Sequence, residues 1–173
     1  VFAEIDRRKA IIYTHPIAPN CCRGALPEFN DSVIEYGTDT TRAIAKVMFS
    51  GAQKRFPDIR FIFSHAGGTL TSVAARLVGG SLDPGVLAAP AAPASRLGQL
   101  RRFFYDTAGA ANPVTMQALK TLVSPSQIVF GTDMPFFDGL PVVQGLKTSG
   151  FTDGELRGVE RENALRLLPR LGA

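Results

Sequence analysis

The sequence predicts an α/β fold in which parallel strands alternate with helices, and three observations predict it. Four segments, KAIIYTHP (9–16), RFIFSHAGG (60–68), RFFYDTAG (102–109) and QIVFGTDMPF (127–136), each open on a short apolar, β-rich run. Each run ends on a chemically able polar residue, His15, His65, Asp106 or Asp133, followed closely by a Gly/Pro-rich stretch. A helical pattern comes after each. Strands alternating with helices imply parallel pairing through right-handed crossovers. Near-continuous apolar runs such as FIF and IVF fit strands covered on both faces.

The elements follow in order. After the first strand, Thr40 to Arg55 (TTRAIAKVMFSGAQKR) places Ile44, Val47, Met48 and Ala52 or Gln53 at helical spacing. Asp39 or Thr40 is its expected N-cap, and Pro57 stops it. The second strand leads to a shorter helix over Thr69 to Leu77. SLDPGVLAAPAAPAS (81–95) is rich in Pro and Ala and reads as a long surface connection with room for one helical turn. Beyond the third strand, Pro113 to Val123 forms a helix with Asn112 as N-cap and Pro at its first position. Asp153 to Leu168 makes one or two final helices, ended by Pro169.

An open doubly wound sheet gathers its reactive residues mainly at one switch point, whereas a (β/α) barrel presents them at the C-terminal ends of its strands. All four polar residues fall at such ends, which favours the barrel. A complete barrel has eight strands and roughly 250 residues; this chain has 173 residues and four strand signals. The expectation is therefore the C-terminal half (strands 5–8) of a (β/α)8 TIM barrel, with residues 1–173 one partial domain lacking the N-terminal strands. The opening VFAEIDRRKA, with neither an initiating Met nor a signal peptide's apolar segment, agrees with a piece whose start is lost.

Composition narrows the function classes. Hydrophobic residues make up 45% of the chain and charged ones 20%, which suits a soluble domain. No apolar stretch approaches the roughly 20 residues of a membrane helix, so no membrane partner is expected. The net charge is +4, but the basic residues are scattered apart from Arg7-Arg8-Lys9 and Arg101-Arg102. Without a basic stripe interleaved with aromatics, no nucleic-acid partner is expected. Cys21 and Cys22 are adjacent. Such pairs rarely bridge, and two sulfurs alone make a poor zinc site, so a reducing, cytoplasmic setting is expected.

Taken singly, each polar strand end has a structural explanation: a hydrogen-bonded His, a turn-capping Asp133, an Asp106 that only accepts backbone N–H bonds. Together they point elsewhere. The chain's two histidines hold equivalent positions on different strands, and Asp133 holds it on a third. Imidazole and carboxylate from neighbouring strand ends converge naturally on one divalent ion with an open position for water, whose pKa the ion lowers toward about 7. The barrel is thus expected to be metal-dependent.

His15 followed by Pro, SHAGG with His65, FFYDTAG, FGTDMPF with Asp133 and the closing ENALRLLP together resemble the amidohydrolase superfamily, and within it the branch of aminocarboxymuconate-semialdehyde, methylsalicylate and γ-resorcylate decarboxylases. The resemblance runs in order over nearly the whole chain. It implies a metal-dependent (β/α)8 barrel acting as a carboxy-lyase on a small aromatic or unsaturated carboxylic acid. His15 and Asp133 are then metal ligands, and His65 and Asp133 the catalytic proton carriers. It also implies that Arg76 binds substrate carboxylate across a homodimer interface; a surface ion pair is the other reading. Phe136 and Phe137 wall a flat substrate or pack on the barrel rim. The expected ion is Zn2+, with Mn2+ and Mg2+ also suited to such ligands. Asp106 suits support of the site from behind, and Asn163 is expected to tie the last helix to the barrel. One departure stands out: the family's first-strand His-x-His pair is absent here, so the chain alone is expected to bind metal poorly. Two other readings share these residues, a metal-dependent hydrolase of an amide or lactone and an inactive truncated half-barrel.

Overall fold

The apolar runs become strands and their polar ends share one rim. The computed structural model describes residues 1–172. Strands β1 (Ile11–Thr14), β2 (Arg60–Phe63), β3 (Phe104–Asp106) and β4 (Ile128–Val129) form one sheet in the order β1-β2-β3-β4. All three pairings are parallel. Because every strand runs the same way, His15, His65, Asp106 and Asp133 emerge at the same end of the sheet.

The two faces differ. Phe63, Tyr105 and Ile128 are register partners across three strands, and all are fully buried. Phe103 closes this side, edge-on to Phe61 and Phe63 with ring centroids 5.9 and 5.0 Å away. The neighbouring row, Tyr13, Ile62 and Phe104, lies on the opposite face. It is only partly covered, with Tyr13 56% exposed. The expectation of strands covered on both faces is thus corrected: the helices bury one face and leave the other open.

The helices are α1 (Phe2–Arg7), α2 (Glu35–Phe49), α3 (Ala52–Arg55), α4 (Leu70–Val78), α5 (Pro84–Ala88), α6 (Arg96–Leu100), α7 (Pro113–Leu122), α8 (Gly139–Lys147), α9 (Asp153–Arg157) and α10 (Asn163–Leu167). The helix expected from Thr40 starts instead at Glu35. Thr40 and Thr41 do not cap it: their hydroxyls donate back to the carbonyls of Tyr36 and Gly37 inside the helix, at 3.2 and 3.1 Å. It also breaks at Gly51, whose φ of 71° is left-handed, so the expected single helix is two.

Elsewhere the boundaries agree closely. Asn112 caps α7 by accepting from the Thr115 N–H at 3.0 Å, with Pro113 first in the helix. A π-helical turn over Gly158–Glu162 joins α9 to α10. The 81–95 connection contains the single short helix α5, and the Arg101 guanidinium pins it by donating to the carbonyls of Leu87 and Ala89 at 2.6 and 2.9 Å. Helices α1, α6 and α8 were not expected; α8 opens on Gly-Leu-Pro, which reads as loop. No helix among the described residues is long and apolar enough to cross a membrane.

Candidate metal centre

His15 leaves β1 directly, His65 opens the turn after β2, and Asp133 lies in the loop beyond β4. The structure brings all three together. His15 Nε2 lies 3.3 Å from His65 Nε2 and 3.4 Å from Asp133 Oδ1. Among the described residues they are the one group of metal-ligating side chains with a donor atom each within 4.8 Å of the others.

The backbone around them is unusual. His65, Ala66 and Asp133 have φ of 57°, 56° and 64°, left-handed values that cost non-glycine residues of order 1–3 kcal/mol each. The glycines of HAGG permit a close approach: a Cβ on Gly68 would lie 1.8 Å from the Gly37 carbonyl oxygen. That approach seats the start of α2 on the turn. The one hydrogen of the Thr41 hydroxyl is shared between the Gly37 carbonyl and the Gly67 carbonyl, the latter at 2.9 Å.

Hydrogen bonds define the state of His65. Its Nδ1 lies 3.0 Å from the Ala108 carbonyl, which can only accept, so Nδ1 carries a hydrogen. In the neutral ring Nε2 then offers its lone pair to the cluster. Behind it sits Asp106, 1% exposed. Its Oδ1 accepts from the backbone N–H of His65 at 2.7 Å and of Ala108 at 3.0 Å, and its Oδ2 accepts from the Tyr13 hydroxyl. Burial pushes the Asp106 carboxyl above the ordinary range, against the pull of these donors. Burial and then the Asp106 charge hold the Tyr13 phenol well above its usual value.

A cavity of about 770 Å³ opens over the cluster, lined by His15, His65 and Asp133 and by Tyr36, Phe136 and Phe137. Phe136 and Phe137 are 79% and 58% exposed, so they border the cavity without packing into the core. Arg76 does not line it: it stands exposed on α4, and among the described residues it has no ion-pair partner. Asn163 bonds the carbonyls of Pro125 and Ile128 at 2.8 and 2.7 Å, tying α10 to the start of β4. Cys21 and Cys22 are free.

Sequence reasoning missed Tyr13, Tyr36 and Thr107. Tyr13 was findable, because a strand's period of two places residue 13 on the same face as His15. Tyr36 was hidden by the misplaced start of α2.

The donor set fits a divalent ion. Ligands at about 2.0–2.2 Å from one ion stand no more than about 4.4 Å apart, and both measured separations satisfy this. Imidazole with carboxylate suits zinc and manganese alike.

The family model described as Amidohydrolase matches residues 1–170. The chain belongs to the amidohydrolase family. Among amidohydrolase relatives, the 6-methylsalicylic acid decarboxylase of Aspergillus aculeatus is 31% identical over 189 aligned residues, covering 99% of this chain and 54% of that protein. The chain spans about half the length of the curated relatives it matches. The solved 2,6-dihydroxybenzoate decarboxylase in complex with 2,6-dihydroxybenzoate superposes with a TM-score of 0.81 at 19% identity, covering 97% of this chain and 53% of that one. A dihydroxybenzoic acid decarboxylase from Polaromonas, solved with bound manganese and the inhibitor 2-nitroresorcinol, also gives 0.81, at 18% identity over 99% of this chain and 53% of that one. At such identities the structural likeness establishes the shared amidohydrolase fold.

Proposed function

We propose that the protein carrying this chain is a metal-dependent decarboxylase of a small aromatic or unsaturated carboxylic acid. The chain supplies the C-terminal half, strands five to eight, of its (β/α)8 barrel. The observation that carries this reading is the meeting of His15, His65 and Asp133 at one rim of a parallel sheet, beside an aromatic-walled cavity. The decarboxylase names of its relatives support carboxy-lyase over hydrolase chemistry.

His15 and Asp133 hold the ion together with groups outside this chain. When bound, it supplies Lewis-acid attraction for the substrate's oxygens. Manganese in the Polaromonas enzyme makes Mn2+ the first ion to test, ahead of the Zn2+ expected from the ligands alone.

His65 is the proton carrier. Its Nδ1–H is engaged by Ala108, so the ring gains and loses its mobile proton at Nε2, the atom facing the cluster. Delivery of that proton to the ring carbon bearing the carboxylate forms a C–H bond. The C–C bond then breaks, its electron pair returns to the ring, and CO2 leaves. Asp133, 3.4 Å from His15, is the second group able to accept or return a proton. Phe136 and Phe137 flank the flat substrate. Arg76, free and exposed, is available to a second subunit's substrate carboxylate in a homodimer.

The test is to load the full-length protein with Mn2+ or Zn2+, incubate it with 6-methylsalicylate and 2,6-dihydroxybenzoate, and follow CO2. About one ion per subunit and CO2 release that disappears in Asp133→Asn are expected. Stoichiometric metal with amide or lactone hydrolysis and no CO2 from any aromatic acid would overturn the assignment.

A further inference from the structure

Three cluster side chains come from three strand ends, and a dipeptide at the fourth strand end ties those ends together. Asp106 reaches two of them. Its Oδ1 accepts the N–H of His65, the residue with φ of 57°, and the N–H of Ala108, whose carbonyl receives His65 Nδ1–H. One carboxylate oxygen therefore fixes both the backbone carrying the imidazole and the carbonyl orienting its ring. The other oxygen takes the hydroxyl of Tyr13, two residues before His15 and on the far side of β2. Thr107 reaches the third end. Its hydroxyl donates to the Gly131 carbonyl and accepts the Gly131 N–H, both at 3.0 Å, two residues before Asp133. Beyond the end of β4 the chain turns away, with Phe130 N–H bonding Val159 on the helical side, so this side-chain bridge replaces the ladder. A Cβ on Gly131 would press to 3.0 Å against the Asp106 carboxylate, so the bare glycine lets the loop lie on it.

We propose that Asp106 and Thr107 are positioning residues that set the mutual spacing of His15, His65 and Asp133, and with it the affinity of the site for a divalent ion; this rests on the metal-dependent function proposed above. Neither residue ligates the ion. Each acts through a backbone segment that carries one of the ligating or proton-carrying groups. Partners of this kind orient metal ligands, and their loss typically weakens metal binding about 10- to 100-fold.

The test is titration of the metal-free full-length protein with Mn2+, read from the electron paramagnetic resonance of free Mn2+, beside the thermal melt of each metal-free variant. Asp106→Ala and Thr107→Val are expected to weaken Mn2+ binding about 10- to 100-fold. Asp106→Asn keeps an Oδ1 that accepts both N–H groups, and Thr107→Ser keeps the hydroxyl; both are expected to bind close to the parent. Tyr13→Phe removes one bond from a half-exposed ring and is expected to weaken binding by a smaller factor without unfolding the chain. Folded Asp106→Ala and Thr107→Val proteins that bind Mn2+ as the parent does would reduce the pair to strand staples and overturn the proposal. Should both fail to fold, unchanged binding in Tyr13→Phe overturns it instead. A parent that takes up no Mn2+ or Zn2+ sinks the metal-dependent function and this inference together; a metal-binding parent with indifferent variants sinks this inference alone.

Discussion

At the residue scale, the proposed chemistry and the support of the fold fall to different side chains, and substitutions should separate them. His65→Asn keeps a polar group at the strand end but has no imidazole to carry a proton at Nε2. With His65 as the general acid, kcat of the metal-loaded full-length protein should fall about 10²- to 10⁴-fold while Mn2+ content, measured on the same sample at saturating Mn2+, stays near the parent's. Asn163 works in the opposite sense. It is 1% exposed and its amide N–H groups satisfy the carbonyls of Pro125 and Ile128. Asn163→Ala should cost about 1–3 kcal/mol for each carbonyl left unpaired, and Asn163→Asp more, because a carboxylate then faces two acceptors. Urea denaturation of the metal-free protein reads both. The meeting of His15, His65 and Asp133 at one rim was legible because polar residues ending apolar runs are few. The Tyr13, Asp106 and Thr107 network was only partly legible, since which donor meets which acceptor depends on strand register, and register was not in the pattern.

At the element scale, the local signals that agreed with the structure were those with a single physical meaning. Asn-Pro before an amphipathic run can only start a helix, and α7 starts there. The stretch GTDTT misled because threonine caps a helix or bonds back within it equally well, and here it bonds back. The HAGG turn has one meaning as well. With φ of 67° and a carbonyl 1.8 Å from where a Cβ would sit, Gly68→Ala should destabilise by more than about 4 kcal/mol, the range reserved for such strain, as read by the loss of a cooperative melt. Helix α9 offers a gentler test. Thr152 and Glu155 form a reciprocal capping box, and Lys120 Nζ lies 3.6 Å from the Glu155 carboxylate. The Thr152 N–H first, and Lys120 after it, hold the Glu155 carboxyl below its ordinary range. A carboxyl depressed in the folded state stabilises above its unfolded pKa, and that gain is lost as pH falls through the folded value. Thr152→Ala should therefore cost about 1 kcal/mol. The smaller deficit of Glu155→Gln should shrink as pH falls below the ordinary glutamate value of about 4.3 and the parent loses its charge, which melts at successively lower pH would show.

At the scale of the whole molecule, the order β1-β2-β3-β4 and the shared rim were legible because alternation and parallel pairing leave few topologies. The open face was not. An apolar run such as FIF reads the same whether its second face meets a helix, a barrel interior or water, so Ile62 and Phe104 looked buried. In the structure that face carries the Tyr13–Ile62–Phe104 row, and the sheet ends on β1 and β4 with no strand beyond either among the described residues. An unpaired strand edge beside a partly bare apolar face is a template for association. The chain produced alone should therefore self-associate as its concentration rises, with a growing weight-average mass in sedimentation and strong binding of a hydrophobic dye. Ile11 lies on the edge strand on the same face as Tyr13, so Ile11→Lys sets a charge where a second chain would pair. That substitution should return the chain toward a monomer and lower dye binding. If the parent chain instead sediments as a single dye-free monomer at every concentration, the face is closed in solution, and a half-barrel is the wrong description of how this sheet lives in water.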